Sequence, residues 1–377
     1  IYPGTSRLLT NNMMFFMIVG MIMVTRLSYE NYALKQFIMI VASFFLCMLL
    51  PLMMKRIRMW EKLTWFYGVS GFIVLATVLV FGVSKYGASN WISIAGITLQ
   101  PSEFAKILFV LFLACRLSKP LDLKQLIITT AIAGAYVLFL VLEKDLGAAL
   151  IFFIVYLVML YVATGRLTLF ISGVLAGSAA AVVAYRLFSH VQTRVNIWRD
   201  PWGNIDNGSY QVIQSLFAIG TGSWFGLGLG QGMPDSIPVV YSDFIFSALA
   251  EEMGTIFVLC LILVYVSCLL VFLNASMRSR YPMYKLIALG FGVCFMFQIF
   301  LNIGGAVKFI PLTGVTLPLI SYGRSSVVSV LLIFGITQGL VMLGEKKEDG
   351  KEYEEKSEEQ AGEYGKAGGK EREVRQR

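Results

Sequence analysis

Long apolar runs separated by short polar breaks occupy nearly the whole chain. Ten stand out, at 12–25, 34–54, 63–83, 103–116, 125–142, 146–162, 167–187, 244–273, 284–303 and 325–343. A hydrocarbon core ~30 Å thick takes about 20 helical residues to cross, and a soluble core has no need of repeated runs that long. The pattern predicts an all-α polytopic membrane protein with about ten transmembrane helices and a large extracytoplasmic loop between the seventh and eighth. The first run lacks a small-residue cleavage site and is followed at once by another, so it reads as a span rather than a signal peptide. The chain opens on Ile1 and not on Met, which points to trimming upstream.

Composition agrees with this. Of 377 residues 57% are apolar and 14% charged, with a mean hydropathy of +0.73, more apolar surface than a soluble protein hides. Charge changes the picture once it is divided. Residues 344–377 hold 9 basic and 11 acidic groups among glycines, with almost no large apolar residue; this reads as a disordered, charged cytoplasmic tail. The rest, 1–343, forms one integral domain with 22 basic and 12 acidic groups. Basic residues gather in alternate loops: Lys55, Arg56, Arg58 and Lys62; Arg116, Lys119 and Lys124; Arg166; Arg278, Arg280 and Lys285. By the positive-inside rule those loops and both termini are cytoplasmic.

The segments 84–102, 188–242 and 304–324 then lie outside. They combine Gly, Pro and Trp with apolar residues such as Ile92, Ile97 and Leu99, unlike a solvated linker. Ordered loops that cap or dip into the bilayer are expected. The five cysteines all fall within spans without paired spacing and read as packing residues. A single histidine, His190, disfavours a His-rich metal site or a Ser-His-Asp triad.

Acids in or beside spans are costly and therefore candidates for function. Asp243, in Ser242-Asp243-Phe244, stands at the outer start of the eighth span, where helix capping and general-base catalysis are both open to it. Continuing one helix through it puts Glu251 about 80° round and Glu252 nearly opposite, as cross-helix partners or as part of a site. Glu103 and Lys106 open the fourth span as an i,i+3 pair, either a local ion pair or the wall of a charged cavity. Asp145, in Glu143-Lys144-Asp145, breaks two spans at the outer face. In the large loop Arg194, Arg199 and Asp200-Pro201-Trp202 could meet an anionic headgroup. The glycines of 220–232 have Gly-x-Gly spacings, but no strand precedes them as a nucleotide fold requires. Unaided, these residues describe an outward cavity suited to an enzyme on a lipid-linked anion or to a transporter.

Five stretches in order carry a resemblance: Gln100-Pro101-Ser102-Glu103-Phe104-Ala105-Lys106; Asp145-Leu146-Gly147-Ala148-Ala149-Leu150; Gly208-Ser209-Tyr210-Gln211 with Ala218-Ile219-Gly220; Ser242-Asp243-Phe244-Ile245-Phe246 with Ala250-Glu251-Glu252-Met253-Gly254; and Pro311-Leu312-Thr313-Gly314 through Ser321-Tyr322-Gly323 and Ser325-Ser326. Together with the ten spans they resemble the shape, elongation, division and sporulation (SEDS) family, the RodA/FtsW-like peptidoglycan glycosyltransferases of cell wall biogenesis, cell shape and cell division. The likeness covers about 12–343.

The resemblance implies a polymerase of lipid II at the outer face of the bacterial cytoplasmic membrane. Its donor would be glycan on undecaprenyl pyrophosphate, and its chemistry an inverting glycosyl transfer. Asp243 matches the family's essential aspartate, as general base. Glu103, Lys106, Lys35, Asp145, Arg194, Gln211, Ser325 and Ser326 are the expected substrate-binding residues, with Lys106, Lys35 and Arg194 as cations for the pyrophosphate and a divalent cation (Mg or Mn) admitted. The implied partner is a class B penicillin-binding protein; no nucleic acid is expected. The alternatives are a lipid II flippase and a non-catalytic activator of a partner transpeptidase. Two departures point to a divergent branch: Ile237-Pro238-Val239-Val240-Tyr241-Ser242 replaces the Leu-Pro-Glu run and the His-Thr pair before the Asp-Phe, and Arg324 replaces the glycine after Ser-Tyr-Gly.

Overall fold

The structure is a computed structural model that describes residues 4–53, 60–85, 88–94, 97–120 and 122–344. Lys55, Arg56, Arg58, Gly87, Gly96 and the expected tail beyond Gly344 lie outside the described residues. A helix stands at each of the ten expected spans: α1 Arg7–Ser28, α2 Leu34–Met53, α3 Thr64–Phe81, α4 Ser102–Leu117, α5 Leu123–Leu142, α6 Leu146–Thr164, α7 Leu167–Leu187, then α10 Ile245–Arg278, α11 Pro282–Ala306 and α12 Arg324–Gly344. Eight of the ten are long and apolar enough to cross a membrane on their own. The two shortest are α3, with 18 residues, and α4, with 16. At 1.5 Å per residue α4 falls short of a bilayer; nearly all its side chains are buried, so protein rather than lipid surrounds it.

The segments expected outside are more structured than irregular loops. Three strands, β1 Val83–Lys85, β2 Ala88–Ile94 and β3 Ile97–Leu99, pair as an antiparallel meander in chain order. The seventh and eighth spans are joined through α8 Ser189–Arg199, a 3-10 turn at Trp202–Asn207 and α9 Tyr210–Gly222. These helices satisfy their own backbone groups, which a chain at membrane depth has to do.

Two aromatic clusters lock the bundle. Phe16 of α1 stacks on Tyr265 of α10 at 4.1 Å, and Phe272, Phe295 and Phe334 tie α10, α11 and α12 at 5.3–5.7 Å. Phe72, Phe109, Tyr136 and Phe152 do the same for α3 to α6, with the Tyr136 hydroxyl donating to Gly68 O at 2.6 Å. In contrast α7 has no buried residue, and its Ile171, Leu175 and Val182 are exposed. Such a face would be anomalous in water and is ordinary against lipid.

The helix α10 is broken at Gly254, where φ is +87° and ψ 167°. The break would orphan backbone groups, and the glycine-rich loop after α9 takes them up. Leu227 N and Gly228 N donate to Glu251 O and Glu252 O at 2.9 Å, while Thr255 N and Ile256 N donate to Ser223 O and Trp224 O at 2.9 and 3.2 Å. Gly226, itself at φ +78°, rests directly on the Glu252 backbone. The glycines of 220–232 thus serve close backbone packing.

The helical-wheel expectation for the neighbouring acids fails for a local reason: Asp243 precedes α10 and does not share its periodicity. Both Glu251 and Glu252 are buried. Glu252 pairs with Arg26 of α1 at 3.3 Å, and Glu251 accepts from Met233 N at 3.0 Å. They brace the loop.

Gly226→Val should lower stability by about 2 kcal/mol or more, through strain at positive φ and collision with the Glu252 backbone. Gly220→Ala, in a helix with open space around it, should be neutral or gain up to about 1 kcal/mol. Melting temperatures of the two purified variants in one detergent check the contrast.

Candidate active site

The helices α4, α6, α10 and α12 begin at the same pole of the bundle, and hydrogen bonds join the starts of α4, α6 and α12. Asp145 caps α6, its Oδ1 accepting from Ala148 N at 3.0 Å. Its Oδ2 accepts from Ser102 Oγ at the start of α4 at 3.2 Å, Gln100 Nε2 at 2.9 Å and Asn90 Nδ2 of β2 at 2.8 Å. Gln100 N in turn donates to Ser325 Oγ in the first turn of α12 at 2.8 Å. Each helix N-terminus carries roughly +0.5 elementary charge, so the pole concentrates positive potential around a buried carboxylate. With four donors, three of them on Oδ2, neither oxygen of Asp145 is left without a hydrogen bond. It is an anchor, not a base.

Beneath it lies a layer of paired charge. Lys106 makes a buried ion pair with Glu103 and donates to Gln298 Oε1 at 2.8 Å. Glu103 also accepts from Ser329 Oγ at 2.5 Å. Gln298 Nε2 reaches Thr316 O and Ser326 Oγ at 3.2 and 3.3 Å. Gln100, Ser102, Glu103, Lys106, Asp145 and Gly314 line a cavity of ≈ 20 Å³ above this layer, the scale of one water.

Asp243 is bound differently. Ser321 Oγ donates to Ser242 O at 2.5 Å, and Asn302 Nδ2 donates to Asp243 O and Val315 O at 3.0 and 2.7 Å, which fixes its backbone. Its side chain accepts from Ser242 Oγ on Oδ1 at 2.9 Å, while Oδ2 has no hydrogen-bond donor among the described residues. Gly314, at φ +74°, leaves room there: a first side-chain carbon would stand 3.7 Å from Oδ2. Burial pushes the Asp243 carboxyl above the ordinary carboxylate range, against the opposing Ser242 hydrogen bond and the Arg194 charge. The guanidinium of Arg194 donates to Thr313 O at 3.1 Å and feels both Asp145 and Asp243. Burial lowers its pKa, and the two carboxylates act the other way.

The structure therefore brings together Asp243, Arg194, Asp145, Glu103, Lys106, Ser325 and Ser326 of the expected residues. Lys35 is left out, exposed on α2. Gln211 lies partly buried in the first turn of α9 with no hydrogen bond to these residues. Lys106 is no free cation, because Glu103 neutralises it. His190 is kept neutral, its pKa lowered by burial and by Arg194 and Lys144. Sequence reasoning missed Asn90 of β2 and Gln298 and Asn302 of α11, uncharged side chains that give no signal in the sequence. Arg324 donates to Thr98 Oγ1 of β3 at 2.5 Å, tying α12 to the meander.

A family model described as cell cycle protein, for FtsW, RodA and SpoVE, matches residues 6–343. The peptidoglycan glycosyltransferase RodA of Mycobacterium leprae is 34% identical over 315 residues, 78% of this chain and 66% of the relative. That of Mycobacterium tuberculosis is 34% identical over 291 residues, 71% of this chain and 61% of the relative. The probable peptidoglycan glycosyltransferase FtsW of Aliivibrio salmonicida is 33% identical over 287 residues, 72% and 71% of the two chains. The chain thus spans just under two thirds of the length of the mycobacterial relatives. Among solved structures, Thermus thermophilus RodA superposes with a TM-score of 0.67 at 23% identity, covering 90% of this chain and 97% of that one. A chain of a peptidoglycan synthase complex that coordinates polymerization and crosslinking reaches 0.77 at 23% identity, covering 92% and 99%. At such identities the likeness concerns the fold.

Two outcomes follow from these environments. Glu103→Ala strands the Lys106 charge and should cost about 3–5 kcal/mol, while Glu103→Leu with Lys106→Met should cost markedly less; unfolding in detergent measures both. Glu143, in the turn before Asp145, is buried with neither carboxylate oxygen hydrogen-bonded. Burial first and Asp145 second push its pKa up to about 8. A raised folded-state pKa means that the folded protein holds the proton longer. Its stabilising effect is full below the unfolded pKa of about 4.5 and lost as pH rises through about 8. Glu143→Gln should match the wild-type melting temperature near pH 4.5 and exceed it at pH 8 and above.

Proposed function

This chain belongs to the FtsW/RodA/SpoVE family of cell cycle proteins, and on that premise we propose that it polymerises lipid II into glycan strands at the outer face of the bacterial cytoplasmic membrane. The observation that carries the reading is the contrast between two neighbouring aspartates. Asp145 is saturated with donors, whereas Asp243 keeps Oδ2 open beside Gly314 and has a raised pKa. A general base needs a free oxygen within reach of the proton and a pKa moved toward the working pH. Asp243 takes the proton from the acceptor sugar's hydroxyl as that oxygen attacks the anomeric carbon. The bond to undecaprenyl pyrophosphate breaks on the opposite side and the configuration inverts.

Charge accumulates on the departing pyrophosphate, and preorganised positive potential is worth most where charge develops. Arg194, with its carbonyl contact to Thr313, is the guanidinium in position, and the N-termini of α4, α6, α10 and α12 add their dipoles. Among the described residues no group of three or more His, Cys, Asp or Glu side chains is placed to hold a metal ion. Those residues do not form a protein-built metal cage, and no step is assigned to a metal.

Fold and charge together support the proposed orientation. The four helix N-termini share one pole, so the loops after α4, α6 and α10, with their arginines and lysines, lie at the other. That basic pole and both termini are cytoplasmic, and the site faces outward. A flippase would need polar groups through the full thickness. Below Lys106, α4 continues as buried Phe109, Val110, Leu111, Phe112 and Leu113, which favours chemistry at the outer pole. A class B penicillin-binding protein is the proposed partner, in line with the structural neighbour's synthase complex.

Asp243→Asn keeps the Ser242 contact and should leave thermal stability within a few degrees. Glycan polymerisation by the purified chain, with and without candidate partners, should fall by about 10²–10⁴-fold. Activity within tenfold of wild type would remove Asp243 from the role of base.

A further inference from the structure

Three tyrosines gather beside the Asp243 segment. The Tyr32 ring lies 4.6 Å from that of Tyr241 and 4.4 Å from that of Tyr322, and the latter two meet edge-on at 5.9 Å. The Tyr32 and Tyr241 hydroxyls are 3.4 Å apart. All three side chains are partly exposed. The cluster is tied to the proposed base: Tyr241 precedes Ser242, whose hydroxyl bonds Asp243, and Tyr322 N donates to Tyr241 O at 2.8 Å. Ser321 Oγ clamps Ser242 O beside it. Tyr32 comes from a π-helical turn, Tyr29–Ala33, between α1 and α2; such turns are rare and recur at functional sites.

A second observation stands one turn along α2. Gln36 is fully buried, donates to Ser321 O at 3.3 Å and leaves its Oε1 without a hydrogen-bond partner among the described residues. A buried acceptor left open is costly, and an N–H or O–H donor, such as a saccharide's acetamide or hydroxyl, would complete it.

We infer that Tyr32, Tyr241 and Tyr322 form a stacking platform that holds the N-acetylhexosamine ring of the acceptor next to Asp243. The inference rests on the glycosyltransferase reading for the identity of the acceptor. Tyrosine suits the task because it joins a rigid apolar face to a polar tip at small entropic cost. A pyranose offers the complement, a face of C–H bonds and a rim of hydroxyls. Packing alone would be served by phenylalanine. Arg324, close enough to act on the Tyr322 hydroxyl electrostatically, borders the platform on the α12 side.

The test is binding of a lipid-free β-1,4-linked N-acetylated disaccharide to the full chain carrying Asp243→Asn, in detergent. Tyr241→Leu and Tyr322→Leu should each weaken binding tenfold or more, and the corresponding Phe variants, which keep the ring face and lose the polar tip, should weaken it by a smaller factor of about three to ten. In otherwise unaltered protein, the disaccharide should shift the NMR signals of ¹³C-labelled tyrosine, a readout that needs no substitution to fold. With Asp243 restored, Tyr32→Leu should raise KM for the lipid-linked acceptor with kcat within threefold. Unchanged binding in the Leu variants, unshifted tyrosine signals, or loss of polyprenyl phosphate binding in place of saccharide binding would overturn the platform. Saccharide binding without any polymerisation would remove the enzymatic reading and leave the platform standing.

Discussion

The Asp145 carboxylate takes hydrogen bonds from Asn90 of the meander, Gln100 ahead of α4, Ser102 at its start and Ala148 within α6, and the geometry of the pole that carries the site depends on that junction. A carboxylate at this depth is expensive unless every lone pair is met. Once met, it fixes the mutual positions of three separate segments and, through Gln100 and Ser325, of a fourth helix. It also supplies a fixed negative charge that helps keep the partly buried Arg194 guanidinium charged. The proposed base and leaving-group cation are therefore set against a scaffold that takes no part in proton transfer.

The same economy recurs at several other polar groups in the apolar bundle. Glu103 and Lys106 cancel each other and are closed off by Gln298 and Ser329. Glu252 faces Arg26, and the backbone groups freed at Gly254 pair with the loop that the preceding glycines allow to approach. Asp243 departs from this rule. One of its oxygens is unclaimed, and the space beside it is held open by Gly314. Glu143 is unpartnered too, but it is sealed within the bundle; the room beside Oδ2 is what marks Asp243 as the reactive acid.

Much of the fold is legible in the sequence, because a long apolar run has few physical explanations and ten of them in series have one. The meander at 83–99 is not, since its short strands read as loop, and neither is the break at Gly254, since a helical wheel assumes an unbroken helix beginning before Asp243. Of the site, the charged members are visible as costly residues in apolar surroundings. Their partners are not: Asn90, Gln100 and Ser102 reach Asp145 across 55, 45 and 43 residues of sequence, and Gln298 reaches Lys106 across 192. Lys35 stands apart from the cluster because the bundle leaves it exposed on α2. The glycines of 220–232 carry a spacing that resembles a nucleotide loop, and only the neighbouring helix reveals what they pack against.

The central claim is that Asp243 is a base whose pKa is raised by burial and restrained by Arg194. The most direct measurement is the pH dependence of kcat/KM for glycan polymerisation, in the wild type and in Arg194→Gln. Wild-type activity should rise with pH through an ionisation above the ordinary carboxylate range, and loss of the guanidinium should move that inflection higher while lowering the plateau. An inflection at the ordinary carboxylate value, or one that stays in place when Arg194 is replaced, would contradict the account.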